Sequence, residues 1–181
     1  MLRRFCHIVL LVSLLSWSPQ LKAAQEPREY QVKAAYLYNF AKFITWPETA
    51  FSDKKAPLVI GVLGKNEFNG YLEPLTSKTV RNRPIVVKHF KSIEDVSACQ
   101  ILYLSSSENK QLKTHLKKLS VQAIVTLSDE RNFAKQGGII QFTPVRGRLR
   151  FIINLEKAKA VGMKIDSQLL SLAIELLETK K

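Results

Sequence analysis

Three adjacent serines, Ser105, Ser106 and Ser107, follow the apolar run "ILYL" and are the first candidates for nucleophilic chemistry. A hydrolase nucleophile on an α/β scaffold sits on a sharp elbow of the form G-x-S-x-G. No glycine flanks these serines, and hydroxyls at the end of a strand are expected as caps of the helix that follows. Asp129 and Glu130 form an adjacent carboxylate pair before a second helical turn, where acidic side chains favour the helix dipole. His89 and His115 stand alone, without C-x-x-C or H-x-x-x-H spacing, so no metal site is expected. His115 is expected on a solvated helix face. "GVLGKNEFNG" holds three glycines but neither G-x-G-x-x-G nor G-x-x-x-x-G-K-[ST]. Those patterns present backbone N–H groups to a phosphate, whereas Gly61 falls inside a strand and only Gly64 lies at its end. The chain reads as a non-enzyme without a cofactor.

Binding chemistry is better represented. In "RGRLRF", Arg146, Arg148 and Arg150 alternate with Leu149 and Phe151, so on a strand the three guanidiniums share one side. Such a face can hold a carboxylate, a phosphate or an acidic partner surface. It can equally be a solvated face whose arginine stems cover apolar surface. Nucleic acid would require aromatics interleaved on the arginine side, and here they fall on the opposite one. The second feature is "YLYNFAKFITWP" (36–47). From Tyr30 to Trp46 there are six of the chain's sixteen aromatics. On a helical wheel Tyr36, Phe40, Phe43 and Trp46 cluster, and Leu37, Ala41 and Ile44 widen the apolar arc well past half the circumference. One-sided packing needs an arc of about 100°, so this helix is expected to be covered from two sides. A membrane-surface helix would carry a broad Lys/Arg face, which is missing. The second cover can be the chain itself, a twin subunit or a partner that uses Tyr36, Phe40, Phe43 and Trp46 as anchors.

The elements that must position these residues follow from periodicity. Residues 1–24, with Arg3 and Arg4 before the apolar stretch Phe5–Trp17 and with Ala23 and Ala24 after it, have the pattern of a cleaved signal peptide. The apolar run is too short to span a bilayer. Cleavage after Ala23 or Ala24 and export across the membrane are expected. Removing 24 residues leaves 157 of the 181, a single domain (25–181) with room for a real core. Of 28 Lys and Arg, Arg3, Arg4 and Lys22 leave with the leader, so 25 remain against 15 Asp and Glu, a net charge of +10. That balance favours attraction to anionic surfaces or partners. Only Cys99 remains of the two cysteines, so no internal disulfide can form; its place before "ILYL" suggests a buried, inert thiol. A helix is expected over 27–46, ended by Pro47. Strands are expected at 57–64, 83–90, 101–105 and 121–128. Helical segments are expected at 66–75 with Asn66 as N-cap, at 93–98 as a turn, and at 106–119 with Leu112, Leu116 and Leu119 inward. A hairpin turns at Arg146-Gly147, a short helix follows at 156–162, and an amphipathic helix over 167–178 is capped by Asp166. Short apolar strands alternating with helices predict an α/β layered sandwich with a largely parallel sheet and a late β-hairpin.

"VKAAYLYNFAKFITWP" (32–47), "ILYLS" (101–105), "GGII" (137–140), "RLRFIINL" (148–155) and "SQLLSLA" (167–173) occur in one order over the whole processed chain. Together they resemble the YfiR family of small periplasmic proteins. The resemblance implies a compact, often dimeric α/β sandwich and a regulatory role. The implied activity is repression of an inner-membrane diguanylate cyclase through its periplasmic part, which restrains cyclic di-GMP synthesis and biofilm formation. It also implies sequestration of the repressor by a peptidoglycan-associated outer-membrane lipoprotein. The chain departs from the best-understood relative in lacking its disulfides, which removes a disulfide redox switch. An alternative from the arginine face alone is a periplasmic sensor that binds a small anion and reports to another membrane partner.

Overall fold

The computed structural model describes residues 25–178. Helix α1 (Gln25–Phe43) leads into the two-residue strand β1 (Ile44–Thr45). Strands β2 (Leu58–Leu63), β3 (Thr79–Val80), β4 (Arg83–Phe90) and β5 (Ile101–Leu104) follow, then helix α2 (Leu112–Leu119) and β6 (Val125–Ser128). The chain continues through β7 (Ile140–Val145), β8 (Arg148–Asn154), α3 (Leu155–Ala160) and β9 (Lys164–Ile165). It closes with α4 (Ser167–Leu172) and β10 (Glu175–Leu177).

Eight strands form one sheet in the order β10-β8-β7-β6-β5-β2-β4-β3. The run β4-β2-β5-β6-β7 is parallel throughout. Numbered along the chain, that run is the doubly wound order 2-1-3-4-5, whose direction reverses between β2 and β5. Alternation along each strand divides the core. Leu58, Ile60, Val62, Ile101, Tyr103, Val125 and Leu127 face α1. Val59, Leu63, Leu102 and Leu104 face α2, with Phe90 and Phe133. Both faces are covered, so β2 and β5 are buried at every position, as a central parallel strand requires. Gly61 belongs to this packing. A Cβ there would lie 2.6 Å from the Phe90 ring and 2.9 Å from Cys99 Sγ, so the glycine is required by side-chain packing rather than by a ligand.

Several expectations are corrected. The first helix stops at Phe43 instead of Trp46. Ile44 and Thr45 are β-branched, and Trp46 precedes Pro47, which disfavours helical geometry at Trp46. Ile44 and Thr45 instead pair antiparallel with Ile165 and Lys164, and the Asp166 N–H donates to the freed Phe43 carbonyl at 2.9 Å. The segment 66–75 is not a helix: Asn66 Oδ1 accepts from the Phe68 N–H at 3.0 Å, and Asn69 and Gly70 both take positive φ. Only a 3-10 turn, Glu73–Ser77, forms there. The last helix ends at Leu172. Asp166 caps it as expected, accepting from Gln168 N–H at 2.8 Å, but Glu175–Leu177 leaves helical geometry to pair parallel with Ile152–Asn154. Here a free sheet edge overrides local helix propensity. β6 starts at Val125 rather than 121, and Val121 is 85 % exposed. The hairpin is as expected, with Val145 opposite Arg148. Arg146 (φ 50°) and Gly147 (φ 72°) supply the two positive values of a tight hairpin turn.

Candidate functional site

In sheets of this order ligands bind beyond the carboxyl ends of the strands, where the direction reverses. In this chain that place is filled by the protein itself. Lys33 projects from α1 and is 2 % exposed. Its Nζ lies 2.7 Å from Asp129 Oδ2 and 2.7 Å from Glu29 Oε1, and 4.0 Å above the Tyr30 ring. Tyr103 donates its hydroxyl to the same Asp129 oxygen. Tyr30 donates to Glu67 at 2.8 Å, and Ser106 donates to the other Glu67 oxygen at 3.1 Å. Burial, and then the Asp129 carboxylate, raises the Tyr103 phenol far above its ordinary range. Burial and the hydrogen bond to Glu67 do the same for Tyr30. Both phenols therefore stay protonated donors. In the sequence Lys33 is a lone cation within the otherwise apolar stretch "VKAAY" of α1. An ammonium on a core-facing stripe demands a carboxylate, and that demand is the signal that leads to Asp129.

The serine segment is structural. Ser105 is fully buried, and its Oγ accepts from Ser107 N–H at 3.4 Å, as a cap. Ser107 donates to Glu108 Oε1 at 3.1 Å, and Glu108 Oε2 lies 3.0 Å from His115 Nε2. The carboxylate thus stands between serine and histidine. Nucleophile activation needs the base in contact with the hydroxyl, so this arrangement does not build a nucleophile. His115 is a correction as well: it is buried on the inner face of α2 beside Leu112, Leu116 and Leu119. Asp129 and Glu130 do not act together. Asp129 holds Lys33, and Glu130 accepts from Asn109.

The aromatic helix is closed by its own chain. Phe40 has no exposed surface and Trp46 is 8 % exposed. Phe40 packs edge-on to Phe151 with ring centroids 5.2 Å apart and stacks with Phe142 at 5.9 Å. Trp46 donates its indole N–H to the Gln100 carbonyl at 3.1 Å. Tyr36 is half-buried on the same aromatic cluster and donates to the Leu149 carbonyl at 3.3 Å. Phe43 is half-buried too. The four aromatics therefore do not form one exposed surface, and in this conformation Phe40 and Trp46 offer a partner almost nothing.

Cys99 is 3 % exposed, and burial pushes its thiol up to about 12. A native protein of this kind should leave 5,5′-dithiobis(2-nitrobenzoate) essentially unreacted, with one thiol titrating after denaturation, because thiolate is the reactive form. Rapid native reaction would contradict the packing around Gly61.

The arginine surface is open. Arg146 and Arg148 are exposed and Arg150 is half-buried. With Val145 and Ile174 they line a depression between the hairpin tip and the start of β10. Arg150 Nη2 donates to the Leu172 carbonyl at 3.5 Å. Among the described residues none of the ion pairs closer than 4.0 Å uses these arginines. Leu172, Ile174 and Leu176 are exposed nearby. Of the residues singled out from the sequence, this group is the one brought together on the surface.

The family model described as YfiR/HmsC-like matches residues 30–174. No curated protein matches the chain. The match begins at Tyr30 in α1 and ends at Ile174, just before β10, so it spans both layers of the core.

Proposed function

The chain belongs to the YfiR/HmsC-like family, and we propose that it is a periplasmic repressor that holds an inner-membrane diguanylate cyclase inactive by protein–protein contact. The family is associated with periplasmic regulation of diguanylate cyclases and is regulatory rather than catalytic. The observation that carries the reading to this chain is the extent of the match, which covers the core and every element bearing the arginine surface up to Ile174. The chain is exported, and its 1–24 leader, which lies outside the described residues, is removed. No helix among the described residues is long and apolar enough to cross a membrane. Contact is made with the periplasmic part of the cyclase. A peptidoglycan-associated outer-membrane lipoprotein competes for the repressor, which acts as a homodimer.

Gene deletion tests this directly. Loss of the protein should raise cellular cyclic di-GMP several-fold and increase surface attachment, and re-expression should reverse both. Unchanged cyclic di-GMP in a strain that expresses a cyclase with a periplasmic part would overturn the proposal.

A further inference from the structure

Charge and apolar surface meet at the arginine depression, and the two together narrow what can cover it. Arg146, Arg148 and Arg150 converge on a depression whose remaining walls are Val145 and Ile174. Their exposures, 38 % for Val145 and 43 % for Ile174, leave apolar surface beside the three guanidiniums. Among the described residues no ion pair engages them. Residues 1–24 and 179–181 contain no acidic side chain, and β10 runs parallel to β8, so the chain leaves this region toward Asn154 and away from Arg148. The nearest carboxylates in sequence are paired with lysines: Glu175 on β10 lies 4.0 Å from Lys135, and Glu178, just past β10, is 2.6 Å from Lys159. A second copy placed on this face about a two-fold axis would set its three arginines against the first three, which like-charge repulsion opposes. A free phosphate would satisfy the guanidiniums and leave Val145 and Ile174 uncovered. An acidic segment of a protein partner satisfies both.

We propose that the depression between the hairpin tip and β10 docks an acidic, apolar-containing segment of the partner protein. The partner's carboxylates pair with Arg146, Arg148 and Arg150, and its apolar side chains cover Val145 and Ile174. Arginine is suited to this because its planar fork binds a carboxylate through two parallel hydrogen bonds. The inference rests on the repressor reading for the identity of the partner, but not for the chemistry of the site.

The test uses the full processed protein and a fluorescein-labelled eight-residue peptide of alternating Glu and Val, with the Lys and Val counterpart as control. Anisotropy should show binding of the acidic peptide only, weakened at least tenfold in Arg146→Glu/Arg148→Glu. Both arginines are exposed, so this variant should keep the native circular dichroism; Arg148→Gln, with an intermediate loss, is the milder check. No binding of the acidic peptide, equal binding by wild type and the double variant, or displacement by 1 mM inorganic phosphate would each overturn the proposal, the last by assigning the face to small anions. A second arm measures cyclic di-GMP in cells carrying the double variant. Peptide binding with no response of cyclic di-GMP even to gene deletion would leave this site standing and overturn the repressor reading. A deletion response with no peptide binding would do the reverse.

Discussion

Phe40→Ala should remove roughly 3–5 kcal/mol of unfolding free energy, the range for truncating a fully buried phenylalanine. Domains of this size are stable by only about 5–15 kcal/mol, so the variant should sit near the edge of folding at 37 °C. The argument starts in the wheel of α1, whose apolar arc is too wide for one-sided packing. Phe40 lies at the centre of that arc with no exposed surface. Its ring contacts Tyr36 on its own helix, Phe142 on β7 and Phe151 on β8. Those strands are far along the chain, so the cavity left by alanine would be walled by elements that cannot close on it together. Phe43→Ala is the internal control. Phe43 is half-buried, and its loss should cost under about 1.5 kcal/mol on the area scale. Urea unfolding followed by near- and far-ultraviolet circular dichroism measures both. A Phe40→Ala loss no larger than that of Phe43→Ala would mean that α1 is not lodged on the sheet, and the aromatic surface would return as a candidate for partner binding.

How far the sequence could be read follows from which forces act locally. β4 and β5 are runs of β-branched or apolar residues bounded by turn signals, and both were legible almost to the residue. The hairpin was legible because Arg146-Gly147 states its own turn. β10 was not. "AIELLE" has good helix formers at helical spacing, and only the open edge of β8, more than twenty residues away in sequence, makes it a strand. The helical reading of 66–75 failed for the opposite reason, a local one: Asn69-Gly70 takes positive φ, and an Asx turn at Asn66 competes with the helix. The site divides along the same line. Arg148 and Arg150 were visible as a face because strand alternation is a local rule, whereas Arg146 joins them from the hairpin turn rather than from a strand, and Ile174 only because β10 lies beside β8. The Lys33–Asp129 contact spans 96 residues, and no periodicity announces it.

That contact sets the second large effect. Asp129→Ala should cost about 2–3 kcal/mol, because removing the carboxylate leaves the buried Lys33 ammonium charged and underpaired. Two donors lose their acceptor at once, the Lys33 ammonium and the Tyr103 hydroxyl. The figure is placed below the full range for buried pairs because Asp129 is itself 35 % exposed and Glu29, one turn away on α1, still reaches Lys33. Lys33→Met should cost less, about 1 kcal/mol, since it replaces a buried cation by an apolar chain of similar length and leaves Asp129 partly solvated with Tyr103 as donor. The double variant is decisive. If the harm in Asp129→Ala comes from a stranded ammonium, Lys33→Met/Asp129→Ala should be more stable than Asp129→Ala alone, a coupling that a double-mutant cycle reads directly. Additive losses would show that α1 and the end of β6 do not interact through this pair. The coupling also bears on function. Lys33, Tyr30 and Glu67 occupy the crevice where a sheet of this order would otherwise receive a ligand. The buried Lys33 and its carboxylate partners fill that crevice, whereas the arginines of the hairpin, which no ion pair among the described residues engages, lie open at the surface.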